Sequence, residues 1–309
     1  MANAFIQERE LFPPVMPFQS GFLNRNKHEI YYEQCGNRAG QPVLFLHGGP
    51  GAGTAPAHRR LFDPKRFHVV LFDQRGCGQS RPYASLDDNT TDVLIDVVEV
   101  LRQSLGIDKF ILFGGSWGST LALAYAIAYP ECVSGLILRG IFLGTRPEVD
   151  WFLHDMGRFF PEAYDRFIGH LDSGERNSLL TSYFNRLVDA DPAVHQKAAE
   201  AWASYETSCS TLRAGDRHVG GTGALTMARI EAFYFINNCF MPDNHIMDNV
   251  ERLSHLPAII VQGRHDVICP PVNACKLAAK WGENARLQII EAAGHSTFGR
   301  QSRIMRINC

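Results

Sequence analysis

Short apolar runs bounded by turn residues alternate with helical patterns at both ends of the chain. Six runs have the length and composition of buried strands: 43–46, 68–72, 110–113, 133–138, 258–262 and 287–290. Apolar residues at helical spacing predict three helices between them: 91–105, 121–129 and 273–281. Buried strands separated by helices indicate a mostly parallel sheet with helices on both faces.

The middle of the chain, from Phe142 to Arg252, has another pattern. Aromatic residues, Arg and Glu recur at helical spacing there, and no β-branched run appears. We interpret 142–252 as a mostly helical cap inserted into a core domain formed by 1–141 and 253–309. A cap of this kind shapes and closes an active site. A separate helical domain without a catalytic role is the alternative, but catalytic signals on both sides of the insertion favour the cap.

Composition excludes several classes of protein. The chain has 309 residues, of which 45% are hydrophobic, and a net charge of −2, so it can bury a large core and has no basic surface for nucleic acid. The N-terminus does not resemble a secretory signal, and no run approaches the ~20 apolar residues of a membrane span. Eight scattered cysteines without a C-x-x-C pair suggest reduced thiols in a cytoplasmic protein, with no metal or other cofactor.

Gly114–Gly118 matches the pattern G-x-S-x-G, with Ser116 at its centre. The pattern alone is a weak signal, but a buried strand precedes it and a small-residue helix follows it. This strand, turn and helix form the tight elbow that exposes a nucleophilic serine hydroxyl. The flanking glycines fit, because side chains would clash in such a turn. Ser116 is therefore the predicted nucleophile.

A serine nucleophile needs a base, and a third residue must orient that base. His295 follows the predicted strand 287–290, and Asp266 follows the strand 258–262. Both would lie at the carboxyl edge of the sheet, where catalytic groups gather, and in the chain order expected after the serine. His265 is too close to Asp266 in sequence to pair with it, and His47 precedes the elbow.

The oxyanion of an acyl-transfer reaction needs backbone N–H donors. The residue after the nucleophile, Trp117, supplies one, and the glycine-rich loop 47–51 supplies the other through Gly48 or Gly49. A plain tight turn is the alternative for that loop. Another Gly-rich loop, 73–80, lacks a phosphate-binding pattern and is interpreted as a structural turn close to the site.

With these residues identified, the chain resembles the prolyl aminopeptidases, or proline iminopeptidases, of the α/β-hydrolase superfamily. The resemblance runs over nearly the whole chain, and the stretch Gly114–Tyr125 with the loop His47–Gly51 is its most specific part. The matching stretches are 47–51, 73–80, 88–91, 113–129, 138–143, 228–235, 263–271 and 294–296.

The resemblance implies removal of an N-terminal proline from small peptides, with Ser116, Asp266 and His295 as the triad. It also implies that Glu206 and Glu231 of the cap bind the substrate's α-amino group, whereas solvated helix charges are the alternative. Four further positions match the lining of a pocket for the proline ring, although ordinary packing would explain them equally well: Phe142, Phe152, Phe235 and Cys269.

Three questions stay open in the sequence. The family continues past the histidine loop with an acidic residue and a full terminal helix, whereas this chain ends in the short basic segment 302–309, so its last helix is expected to be altered. An esterase, amidase or carbon–carbon bond hydrolase with the same triad is the main rival function, and a non-catalytic binding protein is another. Self-association into a homo-oligomer is also open.

Overall fold

A single eight-stranded sheet forms the centre of the computed structural model, which describes residues 11–212 and 218–297. Its strands are β1 Gln19–Arg25, β2 His28–Gly36, β3 Gln41–Leu46, β4 Phe67–Phe72, β5 Phe110–Ser116, β6 Val133–Ile141, β7 Ala258–Gly263 and β8 Ala285–Ile290. They lie in the order β1-β2-β4-β3-β5-β6-β7-β8. β2 pairs antiparallel with β1 and β4, and every other neighbouring pair is parallel.

Both faces of the central strands are buried, which explains why they are continuously apolar. In β3, Val43 and Phe45 belong to one hydrophobic cluster and Leu44 and Leu46 to another. Alternate side chains of a strand point to opposite faces, so a strand between two helical layers needs apolar residues at every position. The six predicted strands and three predicted helices are all present, with slightly different ends.

The antiparallel pair β1 and β2 was not predicted. β1 lies at the sheet edge and has no buried residue, so its apolar signal is weak. The two strands join through a short turn in which Asn26 has φ of 54°, a conformation that asparagine adopts more readily than most residues. An edge strand of this kind needs no continuous apolar run.

Helices flank the sheet and make up the regular structure of the insertion. Those outside the insertion are α1 Pro56–Arg59, α2 Thr91–Ser104, α3 Trp117–Ala128 and α10 Pro271–Trp281. Those within it are α4 Arg146–Asp150, α5 Pro161–Gly169, α6 Leu179–Leu187, α7 Pro192–Cys209, α8 Thr222–Ile236 and α9 His245–Asn249. Short 3-10 or π turns occupy 130–132, 151–158, 173–178, 238–240 and 250–253.

The predicted mostly helical cap between β6 and β7 is therefore confirmed, whereas its exact division from the core at 141/142 and 252/253 stays a prediction. The altered C-terminal helix expected from the sequence lies outside the described residues. Within 11–212 and 218–297, no helix combines the length and apolarity required to cross a bilayer.

Candidate active site

Ser116 lies at the sharp turn between β5 and α3. Its φ of 57° and ψ of −131° are rare for a residue with a side chain and typical of a strained functional position. A Cβ at Gly114 would lie 2.1 Å from the carbonyl oxygen of Gly118, and one at Gly118 would lie 2.1 Å from that of Leu46. Only glycine fits at these two positions, so the turn can bring α3 against the strands and present Ser116 at the carboxyl edge of the sheet.

Asp266 and His295 meet at the same edge of the sheet, after β7 and β8. His295 Nδ1 lies 2.8 Å from Asp266 Oδ2, and both side chains are buried. Because the carboxylate accepts this hydrogen bond, Nδ1 carries the ring proton and Nε2 is left as the basic nitrogen. His265, rejected above as a partner, is exposed.

Two more donors hold the Asp266 carboxylate. The backbone N–H of Cys269 donates to Oδ1 at 2.8 Å, and Gln262 Nε2 donates to Oδ2 at 3.0 Å. With the His295 bond, the buried carboxylate has three hydrogen-bond donors, so its oxygens are satisfied without solvent.

The loop after β3 brings its backbone against the serine. A Cβ on Gly48 would lie 3.3 Å from Cβ of Ser116, so the loop backbone and the elbow are in close contact. Gly49 has φ of 106°, which favours glycine. Among the described residues, no hydrogen bond from the N–H of Gly48 or Gly49 is found. The loop thus has the closeness and the unused donors that an oxyanion site requires.

A cavity of about 230 Å³ opens above these groups. Core and cap residues line it together, with Met227 and Glu206 contributed by the cap. The predicted site residues in its wall are Ser116, His295, Gly48, Gly49 and Glu206.

Glu206 of α7 and Glu231 of α8 are both buried, so the alternative of solvated helix charges is wrong for this pair. Their carboxyl groups hydrogen-bond to each other. Glu231 Oε2 also accepts from Trp202 Nε1 at 2.6 Å, whereas Glu206 Oε2 is buried without a partner among the described residues.

Burial raises the pKa of both carboxyls, of Glu206 to about 7 and of Glu231 well above its usual range, where the neighbouring Glu206 charge adds to the effect. Two carboxyls in contact cannot both ionise easily, so above the pKa of Glu206, about 7, the pair holds one proton and one negative charge. The stronger upward shift is on Glu231, so the proton is held there in preference to Glu206, which lines the cavity. This arrangement is suited to a single cationic group.

None of the four predicted pocket residues is among the described residues that line this cavity. Phe235 packs against Phe142 and Phe152, with ring centroids 5.9 and 5.7 Å away, and Phe152 packs on Trp202. Cys269 is buried beside Asp266 and hydrogen-bonds to the Ser116 side chain. The structure brings the three rings together, but in a packed cluster rather than an open pocket, so their role in holding a proline ring stays a prediction.

Comparison with known proteins assigns the family. A model of the alpha/beta hydrolase fold matches residues 41–299. A proline iminopeptidase of Arabidopsis thaliana is 45% identical over 303 residues, which cover 96% of this chain and 80% of that protein. One from Xylella fastidiosa is 44% identical over 301 residues, covering 95% and 96% of the two chains. The chain belongs to the proline iminopeptidase family of alpha/beta hydrolases.

A solved structure agrees on the fold. An alpha/beta fold family hydrolase from Bacillus anthracis superposes with a TM-score of 0.60 at 18% identity, over 91% of this chain and 94% of that one. The resemblance to the proline iminopeptidase family that the sequence motifs indicated is confirmed.

In this member of the proline iminopeptidase family, sequence reasoning missed three residues that support the His295–Asp266 pair. One is Gln262, described above. Another is Gly140, whose φ is 51° and whose Cβ would lie 3.1 Å from Cε1 of His295, so a side chain would press on the imidazole. The third is Arg139, which donates from Nη1 to the His295 carbonyl at 2.7 Å. Of the three, only Gly140 could have been noticed in the sequence, as a glycine two residues after the predicted strand 133–138.

Proposed function

We propose that the chain is a serine exopeptidase that releases N-terminal proline from small peptides. The observation that carries the proposal is the buried carboxyl group of Glu206 in the wall of the same cavity as Ser116 and His295. A serine hydrolase acting on neutral esters has no use for a buried negative charge beside its nucleophile. An exopeptidase does use such a charge, because the N-terminal amine of its substrate is a cation next to the bond to be cleaved.

The pair Glu206 and Glu231 recognises the substrate. Its single negative charge matches the one positive charge of the proline ammonium, and the carboxylate of Glu206 accepts a charge-assisted hydrogen bond from it. Trp202 holds Glu231 in place from the other side. An N-acylated proline lacks this charge, so only a free N-terminus binds well.

Ser116 then attacks the proline carbonyl while His295 Nε2 takes its proton. Asp266 keeps the imidazole in the required tautomer and stabilises the imidazolium. The N–H groups of Trp117 and of Gly48 or Gly49 stabilise the tetrahedral oxyanion. His295 returns the proton to the leaving amine of the second residue, and water, activated by the same histidine, releases proline from Ser116.

The test is hydrolysis of proline-p-nitroanilide by purified protein, compared with alanine-p-nitroanilide and N-acetyl-proline-p-nitroanilide. We expect rapid release from free proline, slower release from alanine and almost none from the blocked analogue. Ser116→Ala is expected to abolish turnover. Equal rates on the free and blocked substrates, or turnover of simple esters alone, would contradict the exopeptidase proposal and favour the esterase or amidase alternative. A cytoplasmic location and self-association also stay predictions.

A further inference from the structure

The turn after β4 contributes a buried amide to the active site. Gln74 is 2% exposed and lies in the Gly-rich loop 73–80. Its Nε2 donates to the carbonyl oxygen of His47 at 2.9 Å, and its Oε1 accepts from the indole Nε1 of Trp117 at 2.9 Å. A single side chain thus joins the loop after β3 to the first residue of α3.

These two partners fix the orientation of the amide. A backbone carbonyl can only accept a hydrogen bond, and an indole N–H can only donate one. If the amide of Gln74 were flipped, both bonds would become repulsive contacts. The assignment of nitrogen toward His47 and oxygen toward Trp117 therefore follows from chemistry.

The bond to His47 also sets the direction of a peptide plane. The His47–Gly48 peptide is trans, so its C=O and N–H point in opposite directions. Gln74 holds the carbonyl on one side, and the N–H of Gly48 consequently points to the other. The Cβ position of Gly48 is 3.3 Å from that of Ser116, which places this peptide beside the nucleophile.

The Gly48–Gly49 peptide is held in a similar way, by the imidazole ring of His47. Burial lowers the pKa of His47, so the ring is neutral and carries one proton. The backbone N–H of Gln74 donates to Nε2 at 3.0 Å, so the proton is on Nδ1, which donates to the Gly48 carbonyl at 2.9 Å. The longer 3.3 Å approach of Gly53 N to Nδ1 is then a contact and not a hydrogen bond.

We infer that Gln74 is a positioning residue that sets both halves of the oxyanion hole, by fixing the Gly48 peptide plane and the start of α3 at Trp117. The inference rests on the proposed function, because it concerns the acyl-transfer step at Ser116. Gln74 does not touch the substrate. It acts on the direction of the donors that stabilise the oxyanion, which form their strongest interaction in the transition state.

The test is Gln74→Met, which keeps the size of the side chain and removes its hydrogen bonds to His47 and Trp117. Since loss of a whole oxyanion donor costs 10²- to 10³-fold, we expect misdirected donors to lower kcat on proline-p-nitroanilide by about 10- to 100-fold, with KM changed less than about threefold. Gln34→Met is the matched control. Gln34 of β2 is also a buried glutamine, its Oε1 hydrogen-bonds to His68 of β4 outside the site, and its variant is expected to retain wild-type kcat.

Two inhibitors separate positioning from general damage. The boronic acid analogue of proline adds the Ser116 oxygen to boron, giving a tetrahedral adduct with a boron-bound oxygen in the oxyanion hole. Proline itself forms no such adduct. In Gln74→Met, the Ki of the boronic acid should rise by about the factor lost in kcat, and the Ki of proline should stay within about twofold. A kcat within about threefold of wild type, or equal weakening of both inhibitors, would overturn the inference.

Gln74→Glu serves if the methionine variant does not fold. Its protonated carboxyl can make both hydrogen bonds, whereas its carboxylate repels the His47 carbonyl. Relative to wild type, its kcat should therefore fall as pH rises, and a profile parallel to wild type with full activity would contradict the inference. If the wild type cleaves no prolyl substrate, the proposed function fails by itself. The Gln74 comparison is then made on p-nitrophenyl acetate, since any acyl substrate uses the same oxyanion hole.

Discussion

The site contains two sets of buried carboxylates, and they are stabilised differently. In the core, Asp266 receives three hydrogen bonds, from His295, Gln262 and the Cys269 backbone. In the cap, Glu206 and Glu231 face each other. Trp202 donates to Glu231, whereas one oxygen of Glu206 has no partner among the residues that the structure describes. The core charge is satisfied before any substrate binds, whereas the cap charge is not.

This difference separates chemistry from recognition. A carboxylate with a complete set of donors is fixed in position and ready to orient a base, whichever acyl group arrives. A carboxylate that lacks a partner gains most from a cation, and so it discriminates between substrates by charge. The core half of the site therefore supports serine hydrolase chemistry in general, and the cap half restricts it to free N-termini.

Asp266→Asn should have the largest effect, because it acts on every substrate. Asparagine keeps the shape but donates an N–H toward His295, which favours the wrong tautomer of the base. We expect kcat to fall by about 10⁴-fold with a small change in KM, measured on proline-p-nitroanilide. A loss below about tenfold would show that Asp266 does not orient the base.

Glu206→Gln should weaken substrate binding more than it slows the chemical step. Removing the charge that faces the ammonium should lower kcat/KM on proline-p-nitroanilide by about 10²- to 10³-fold, mainly through KM. Activity on an uncharged ester such as p-nitrophenyl acetate should change little.

Glu200→Gln is the control for that experiment, because Glu200 lies on the same helix, α7, outside the cavity of Ser116. It should behave as wild type. Equal losses of ester and prolyl activity in Glu206→Gln would mean that the glutamate acts on the catalytic core, and the separation of roles would be wrong.

The core half was largely predictable from sequence. A strand, a G-x-S-x-G turn and a helix are local features, and Ser116, Asp266 and His295 each follow an apolar strand whose end must lie at one edge of a parallel sheet. The geometric support for the pair, from Gln262 and Arg139, was not predictable, because a glutamine or an arginine in a strand gives no local sign of its partner.

The cap half was predictable only by resemblance. Glu206 and Glu231 lie on two helices in a segment with no sheet to order it, and helical periodicity cannot show that two glutamates are buried against each other. The same limit applies to Gln74, whose loop was interpreted as a structural turn. Its two partners are 27 and 43 residues away in the chain, and only the folded structure brings them together.

The pH dependence of KM should show the titration of the cap pair. The pKa of Glu206 is raised to about 7, so at lower pH the pair becomes neutral and its attraction for the ammonium is lost. KM for proline-p-nitroanilide should therefore rise as pH falls from about 8 to about 6, by about tenfold per unit at most. In Glu206→Gln this rise should disappear. A KM that is independent of pH in the wild type would contradict a titrating recognition group.

The smallest expected effect is on thermal stability. Replacing two buried glutamates, Glu231 and Glu33, should change Tm in opposite directions. Burial beside Glu206 raises the pKa of Glu231, so the folded protein retains a proton that the unfolded chain releases, and stability falls as pH rises through the range above about 4.5. Glu231→Gln removes this cost and should raise Tm by a few °C near pH 8, with the gain vanishing near pH 4.

Glu33→Gln is the contrast, since Glu33 is equally buried but pairs with Arg59, and its variant should lower Tm at neutral pH. Thermal unfolding followed by circular dichroism across this pH range measures both. A lower Tm for Glu231→Gln at pH 8 would mean that the cap pair is as fully stabilised as Asp266, and the contrast between the two halves of the site would not hold.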